Sequence, residues 1–581
     1  MARTKIYMTR IKRGDLVSMS GVGSVIRTQN GVFGVVGSLA DWERTLPIQA
    51  AVGQVEFERE RYLREHEIRD PELEDACKVS RFIEPPSEPE DIGWNPPKPW
   101  EVPIFRFPLT EVCTNWQCQR VSYTSPGDAG RLKCRHSHPK GTPYTTQVPV
   151  YMVCGAGHLD EVPFARALPD NGCPHNSIKI NFGSNPKNPS VKCMDCQQDG
   201  RLDTRIECTG RRPWINGSVD EECREEMVIV ERTSVNTYFP STKSSIHIPL
   251  DSDIDERVIA WLNRIDLRFF DRLNENNVRQ LIDDATKAGF SLDQNSIELH
   301  LLERERRNSR HESTEEWDFI AARTNEFDVL AGHATYAALT RSRLLQFRPR
   351  NLTSYSHPLI GDSALITAIT SVDVLTETRA LDGFSRLNPN TPSPRDGYRL
   401  LWGFDRPTES WLPAYRLHGE GMFLQFDERL LPRGQSIDEP VDSFQHAALT
   451  EAGVFAHSFA HLLMKSLSKS CGYQLPSIRD RIYQLSDGRI GLLVYTAEGD
   501  IVGTLGGLVQ LSEPGYLERL LDEVVEASRW CGQDPVCIEK IHSRSKNVGA
   551  ACHQCLLLPE TSCERFNSDL DRRLLAARLN F

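Results

Sequence analysis

The sequence predicts an α+β, multidomain fold, and three observations point to it. Fourteen of the sixteen cysteines fall in two windows, Cys113 to Cys223 and Cys531 to Cys563. Between the windows, apolar residues recur at helical spacing. After about residue 440 a long amphipathic stretch alternates with short apolar, β-branched runs.

Size and charge set the frame. A chain of 581 residues suits roughly three to four domains of ~150 residues. With 39% hydrophobic and 25% charged residues it reads as folded rather than disordered. No run approaches the roughly 20 apolar residues that span a bilayer. The start, Met1-Ala2-Arg3-Thr4-Lys5, leads into no apolar signal region. A cytoplasmic protein with no membrane partner is therefore expected. The net charge of −12 repels nucleic acid, so any contact with DNA needs a local basic surface or a basic partner.

Four segments follow in order. Residues 1–103 are a β-rich segment and a proline-rich linker. The runs 20–24 and 31–37 are strand-like, and their glycines read as hairpin turns, because no Lys-Ser or Lys-Thr follows as in a phosphate loop. Glu56 to Asp75 is a charged, solvated helix interrupted at Pro71, and Pro85 to Pro103 is a linker. Residues 104–250 are cysteine-rich. Residues 251–435 form a mixed middle domain, mainly helical at first: Ile254 to Leu267 and Val278 to Ala288 are helices, Ala364 to Val374 and Gly421 to Phe426 strands. Residues 436–581 are an α/β domain, with helices over Ala447–Ser468 and Tyr516–Trp530, a buried strand over Gly491–Tyr495 and a glycine-rich turn over Gly503–Leu508.

The cysteines carry the chemistry. A cytosolic chain does not keep this many as disulfides. Cys552-x2-Cys555 aims two thiolates at one ion, and Cys531 and Cys537 complete a closed tetrahedron, with Cys563 as a replacement for Cys531. Four thiolates and no open position mean structural zinc. Cys193-x2-Cys196 followed by Cys208 and Cys223 gives a second, zinc-ribbon-like set. Cys113, Cys118 and Cys134, near His136 and His138, give a third, and Cys154, His158 and Cys173 fit either of these two. Two to three zinc ions are expected. Iron–sulfur clusters are the chemical rival, but the spacings match no ferredoxin pattern. Cys77 and Cys471 read as small buried hydrophobes.

Other patterns weigh against catalysis. His457 and His461 share one helix face, but serine stands at 458 where a metalloprotease needs glutamate, so they read as packing or supporting histidines. No Gly-x4-Gly-Lys-Ser/Thr exists. His138-Pro139-Lys140 is half of a phospholipase-D-type nuclease motif without its aspartate or second copy. Glu420 reads as a strand-entry turn rather than a catalytic acid. Lys540, Arg544 and Lys546 between the tail cysteines, and Arg341, Arg343 and Arg348 upstream, are candidates to meet phosphates.

Several segments resemble known ones. Ala551-Cys552-His553-Gln554-Cys555 through Cys563-Glu564, and Trp530-Cys531-x2-Asp534-Pro535-x-Cys537, resemble the zinc-binding C-terminal domain of certain bacterial helicases and their companions. Gly503-Thr504-Leu505-Gly506-Gly507-Leu508, Gly419-Glu420-Gly421-Met422-Phe423-Leu424, Cys208-Thr209-Gly210-Arg211-Arg212-Pro213-Trp214 and Cys154-Gly155-Ala156-Gly157-His158-Leu159-Asp160 extend the likeness over most of the chain. The chain is similar to the motor-less DrmB family of the bacterial DISARM anti-phage system. That resemblance implies a DrmA-like helicase partner that hydrolyses ATP, with DNA as the target of the complex. It implies a non-catalytic accessory subunit. The alternatives are a nuclease with an unrecognised site and an assembly scaffold that never touches DNA.

Overall fold

Strands of a few residues dominate where cysteines are dense, and long strands and helices where they are sparse. The computed structural model describes residues 7–9, 11–28, 30–46, 54–85, 102–128, 130–139, 141–202, 206–215, 218–219, 222–234, 237–248, 275–287, 289, 319–334, 342, 344–387, 397–404, 407, 410–433, 449–496, 506–542, 547–559 and 562–579. The fold is α+β, and the chain divides into two compact units built from separated stretches. The first holds residues 1–69, 79–243 and 380–415, the second 70–78, 244–379 and 416–581.

In the first unit, Tyr7–Thr9, Val102–Arg106, Phe33–Val36 and Val25–Arg27 form an antiparallel sheet in that order. Gly31, at φ +76°, turns the chain between the last two, as its glycine suggests. The end of the expected linker is instead a strand. Val102–Arg106 is buried throughout, because Val102, Ile104 and Phe105 supply apolar surface that outweighs the missing donor of Pro103. The rest of that linker, 86–101, lies outside the described residues. The charged helix runs Val55–Glu65 and ends ahead of Pro71. Its Glu60 pairs with Arg81 at 2.7 Å.

Three small sheets carry most of the cysteines of this unit. One joins Val121–Tyr123, Thr110–Cys113 and Thr145–Gln147. The next joins Leu159–Asp160, Val150–Val153, Glu226–Glu231 and Ile206–Glu207. The last joins Ile178–Asn181, Ser190–Cys193 and Asp199–Arg201. Their apolar faces meet in one cluster where Val150, Met152, Ile180 and Val191 pack with Cys154, Cys193 and Cys208. Arg386 is fully buried nearby. Its guanidinium donates to the carbonyls of Gly157 (2.8 Å), Thr237 (2.7 Å) and Gly23 (2.6 Å) and lies 4.8 Å from the Phe384 ring. Burial pulls its pKa down to about 10.

In the second unit, Trp411–Phe426, Ile490–Thr496 and Ile478–Gln484 pair antiparallel from residue 421 onward, and Gln346–Pro349 pairs with Ile366–Ser385. The helix expected over 447–468 spans Glu451–Cys471. Thr450 Oγ1 accepts the N–H of Gly453 to start it, and Gly472, at φ +78°, ends it. It is less amphipathic than its sequence implies, since residues 453–464 are buried without interruption. Phe455, Phe459 and Leu463 join Met422, Leu424, Leu492 and Val494 in one large core. Helices Leu517–Arg529 and Arg572–Arg578 pack on the same core through Leu520, Val524 and Leu575. Glu275–Lys287 is the second expected middle helix. The first, Ile254 to Leu267, lies outside the described residues.

Glu420 is not a strand-entry turn. It sits inside the strand Trp411–Phe426, fully buried. Its carboxylate accepts from Tyr473 Oη (2.9 Å) and from the N–H groups of Gly506 (2.6 Å) and Leu508 (2.9 Å). It thereby satisfies orphan donors at the start of the short helix Gly507–Leu511.

Candidate metal centres

Cys531 follows the helix Leu517–Arg529, Cys537 lies in the turn Val536–Glu539, and Cys552 and Cys555 occupy a tight turn. Their sulfurs converge: Cys531 to Cys552 is 3.5 Å, Cys537 to Cys555 is 3.7 Å, and Cys552 to Cys555 is 3.6 Å. A tetrahedron of ~2.3 Å zinc–sulfur bonds has edges of about 3.8 Å. The Cys552 N–H points at Cys555 Sγ (3.2 Å), the tight-turn geometry that the two-residue spacing encodes. Burial disfavours the Cys552 thiolate, but the N–H of Cys555, the Cys531 thiol and the N–H of Gln554 outweigh it and bring the pKa to about 7. Burial raises the Cys537 thiol instead. Four sulfurs, three of them buried, fit a closed structural zinc.

This segment is similar to the MrfA Zn-binding domain. The match to that domain family covers residues 459–556. Residues 12–239 match a domain of unknown function, DUF8724. Along the whole chain, the DISARM protein DrmB of Bacillus paralicheniformis is 27% identical over 535 residues, 83% of this chain and 90% of the relative. The likeness to the DrmB family read from the sequence thus holds over most of the chain.

Side chains around the zinc-binding domain's thiolates hold the loops. Asp534 accepts the Cys531 N–H at 2.8 Å. The buried Arg572 grips Asp534 at 2.6 and 2.8 Å and donates to the Ser528 carbonyl. Lys465, on the long helix, donates to the Cys555 carbonyl at 2.6 Å. Sequence reasoning quoted Asp534 only as part of a motif, and nothing local flags Arg572 or Lys465.

Cys563 does not join this group. Its sulfur lies 3.2 Å from His457 Nε2, in a separate buried set with His461 and Asp480. The two histidines read as packing residues therefore converge with a thiol and a carboxylate.

The structure also regroups the first window. Cys193 and Cys196 meet Cys173 and His175, while Cys208 and Cys223 meet Cys154 and His158. Cys154 lies 3.6 Å from Cys208, and His158 Nδ1 is 3.4 and 3.5 Å from the two sulfurs. Cys173 lies 3.8 Å from Cys193. Cys113, Cys118 and Cys134 meet His138, whose Nε2 is 3.7 Å from Cys113 Sγ. Among the described residues there are five four-ligand groups, against the two to three ions expected. The expectation counted thiolate pairs, and histidines complete the extra sets. His175 was missed, although Cys173-x-His175 is a local signal.

Of the basic candidates, Lys540 is exposed beside the zinc loop. Arg348 is exposed, with its fork on Asp373 at 2.8 and 2.6 Å. Arg341, Arg343, Arg544 and Lys546 lie outside the described residues. Among the described residues no helix is long and apolar enough to cross a membrane.

Proposed function

We propose that the chain is a non-catalytic, zinc-stabilised accessory subunit of an anti-phage defence complex, pairing with a DrmA-like helicase and contributing to its DNA engagement. The observation that carries this reading is the similarity to a DISARM protein over nine-tenths of that relative's length. The ligand groups support it. Each of the four sets with three or four cysteines pools four ligands, enough to close a tetrahedral ion with no position left for substrate, so zinc held there organises loops rather than reacts. A docking role has a matching surface: Trp530 (69% exposed), Val536 (51%) and Ile541 (56%) stand out of the zinc-binding domain, apolar area of the kind partners cover. The exposed Lys540 lies one residue from Ile541, where the loop could also meet phosphate.

The test is co-expression with the helicase. The pair should co-purify and hydrolyse ATP when DNA is added, and the chain alone should turn over neither ATP nor DNA. Trp530→Ala should lower the yield of the pair without loss of zinc. Turnover or DNA cleavage by the purified chain alone would favour an enzyme. A stable pair whose DNA footprint equals that of the helicase alone would make the chain a scaffold.

A further inference from the structure

The long helix, the strand Ile478–Gln484 and the segment after the zinc-binding domain's cysteines meet at four polar side chains sealed inside the apolar core of the second unit. The side chains of His457, His461 and Asp480 are 0% exposed, and the residue Cys563 is 4% exposed. We propose that His457 Nε2, His461 Nε2, Asp480 Oδ2 and Cys563 Sγ hold a buried divalent metal ion, zinc by preference, distinct from the four-cysteine site.

The hydrogen bonds fix the tautomers. His457 Nδ1 lies 3.1 Å from the Asp569 carbonyl and His461 Nδ1 lies 2.8 Å from the Leu556 carbonyl. A carbonyl only accepts, so both Nδ1 atoms carry the proton, and in the neutral rings both Nε2 atoms present lone pairs. Of the groups they face, only the Cys563 thiol carries a proton of its own when Asp480 is ionised. Each Nε2 faces Asp480 Oδ2, at 3.1 and 3.2 Å, and His457 Nε2 also faces the Cys563 sulfur at 3.2 Å. All four ligand atoms lie within 4.8 Å of one another. Nitrogen and oxygen ligands on ~2.0–2.1 Å bonds to zinc stand about 3.3 Å apart.

Charge bears on the choice between protons and a metal in this set. Protons alone leave either a charged imidazolium, with the ring centroids 4.5 Å apart, against one carboxylate in a dry core, or a neutral acid and thiol each donating to one ring. A dication with one carboxylate and one thiolate is neutral, which is what a fully buried site requires. Two histidines, a carboxylate and a thiolate suit zinc.

The supports around the ligands are those of a preorganised site. The segment that supplies Cys563 also supplies both carbonyls that orient the rings. The other oxygen of Asp480 accepts the Glu564 N–H at 2.7 Å, leaving Oδ2 as the single inward ligand. Ser458, where a metalloprotease would carry its general base, accepts the Asp571 N–H at 2.9 Å and ties the same segment to the helix. Four ligands and no solvent path make the ion a structural pin. Two of the four, His457 and Cys563, fall outside the residues matched by the zinc-binding domain.

The test uses the full chain. Anomalous scattering at the zinc edge from crystals of the unaltered protein should show a peak between these four atoms, separate from that among Cys531, Cys537, Cys552 and Cys555. His461→Ala should lower the zinc count of the purified chain by one, and Cys555→Ser should remove a different equivalent while leaving this peak. An absent peak, or His461→Ala retaining every zinc of the parent, overturns the proposal and assigns the cluster to protons alone. Because the two peaks are read independently, loss of the four-cysteine peak alone leaves this inference standing.

Discussion

The cysteine-rich part of the first unit and the zinc-binding domain of the second use similar ligands on different foundations. In the first, strands of two to six residues present small apolar faces, and the ligand cysteines are themselves members of the core. In the second, Cys531, Cys537 and Cys555 join the core as well, but that core is built by a helix of 21 residues and strands of seven. Short strands bury too little surface to hold a domain without cross-links. The difference teaches that metal should be a condition of folding in one place and a local fastening in the other.

Removing zinc with a strong chelator is the harshest way to break that comparison. Structural zinc contributes on the order of 10 kcal/mol per site in small domains, against ~5–15 kcal/mol for the stability of a whole domain. Residues 104–234 should lose their amide protection together. The strands Ile478–Gln484 and Ile490–Thr496 and the helix Glu451–Cys471 should keep most of theirs. Hydrogen exchange read by mass spectrometry checks this, and simultaneous loss in both regions would erase the distinction.

A single ligand change sharpens it. Cys555→Ser should release one zinc and loosen roughly residues 531–565, at a cost of about half a site's binding energy, ~5 kcal/mol. Limited proteolysis should cut that stretch while the core of the second unit survives. A variant with full zinc content and unchanged protease resistance would remove Cys555 from the ligands.

The smallest effect should come from Glu420→Gln. The amide keeps the shape but weakens the acceptor facing Gly506, Leu508 and Tyr473, at ~1–3 kcal/mol. A modest fall in melting temperature is expected, with faster exchange at Gly506–Leu511 and unchanged zinc. Loss of a catalytic activity at undiminished stability would instead make Glu420 a chemical residue.

What the sequence made legible follows from distance along the chain. Cys552 and Cys555, or Cys193 and Cys196, have two residues between them, and a tight turn alone brings their sulfurs together. The partners across a site are chosen by strand pairing. Glu226–Glu231 pairs with both Val150–Val153 and Ile206–Glu207, which carries Cys208 to Cys154 and away from Cys193. No spacing rule contains that step. The long helix was legible from its periodicity, but a helix buried nearly all round gives no sign of which polar residues turn inward to each other. His457 and His461 therefore looked like packing residues, and their partners stand 19 and 106 residues away. The strand Val102–Arg106 was hidden by its own proline.

The Arg386 pin sets an order for making the molecule. Its guanidinium leaves the ribosome 149 residues after the nearest of the three carbonyls it grips and 363 after the farthest. Residues 244–379, which belong to the other unit, are synthesised in between. The first unit therefore waits, incomplete, while much of its neighbour is already emerging. A gene fragment stopped near residue 250 would encode the early carbonyls without the cation that gathers them. The useful place to divide this protein is not between the units as the gene runs, and excising the second unit would mean splicing residue 69 to residue 79 and residue 243 to residue 380 and stopping at residue 415.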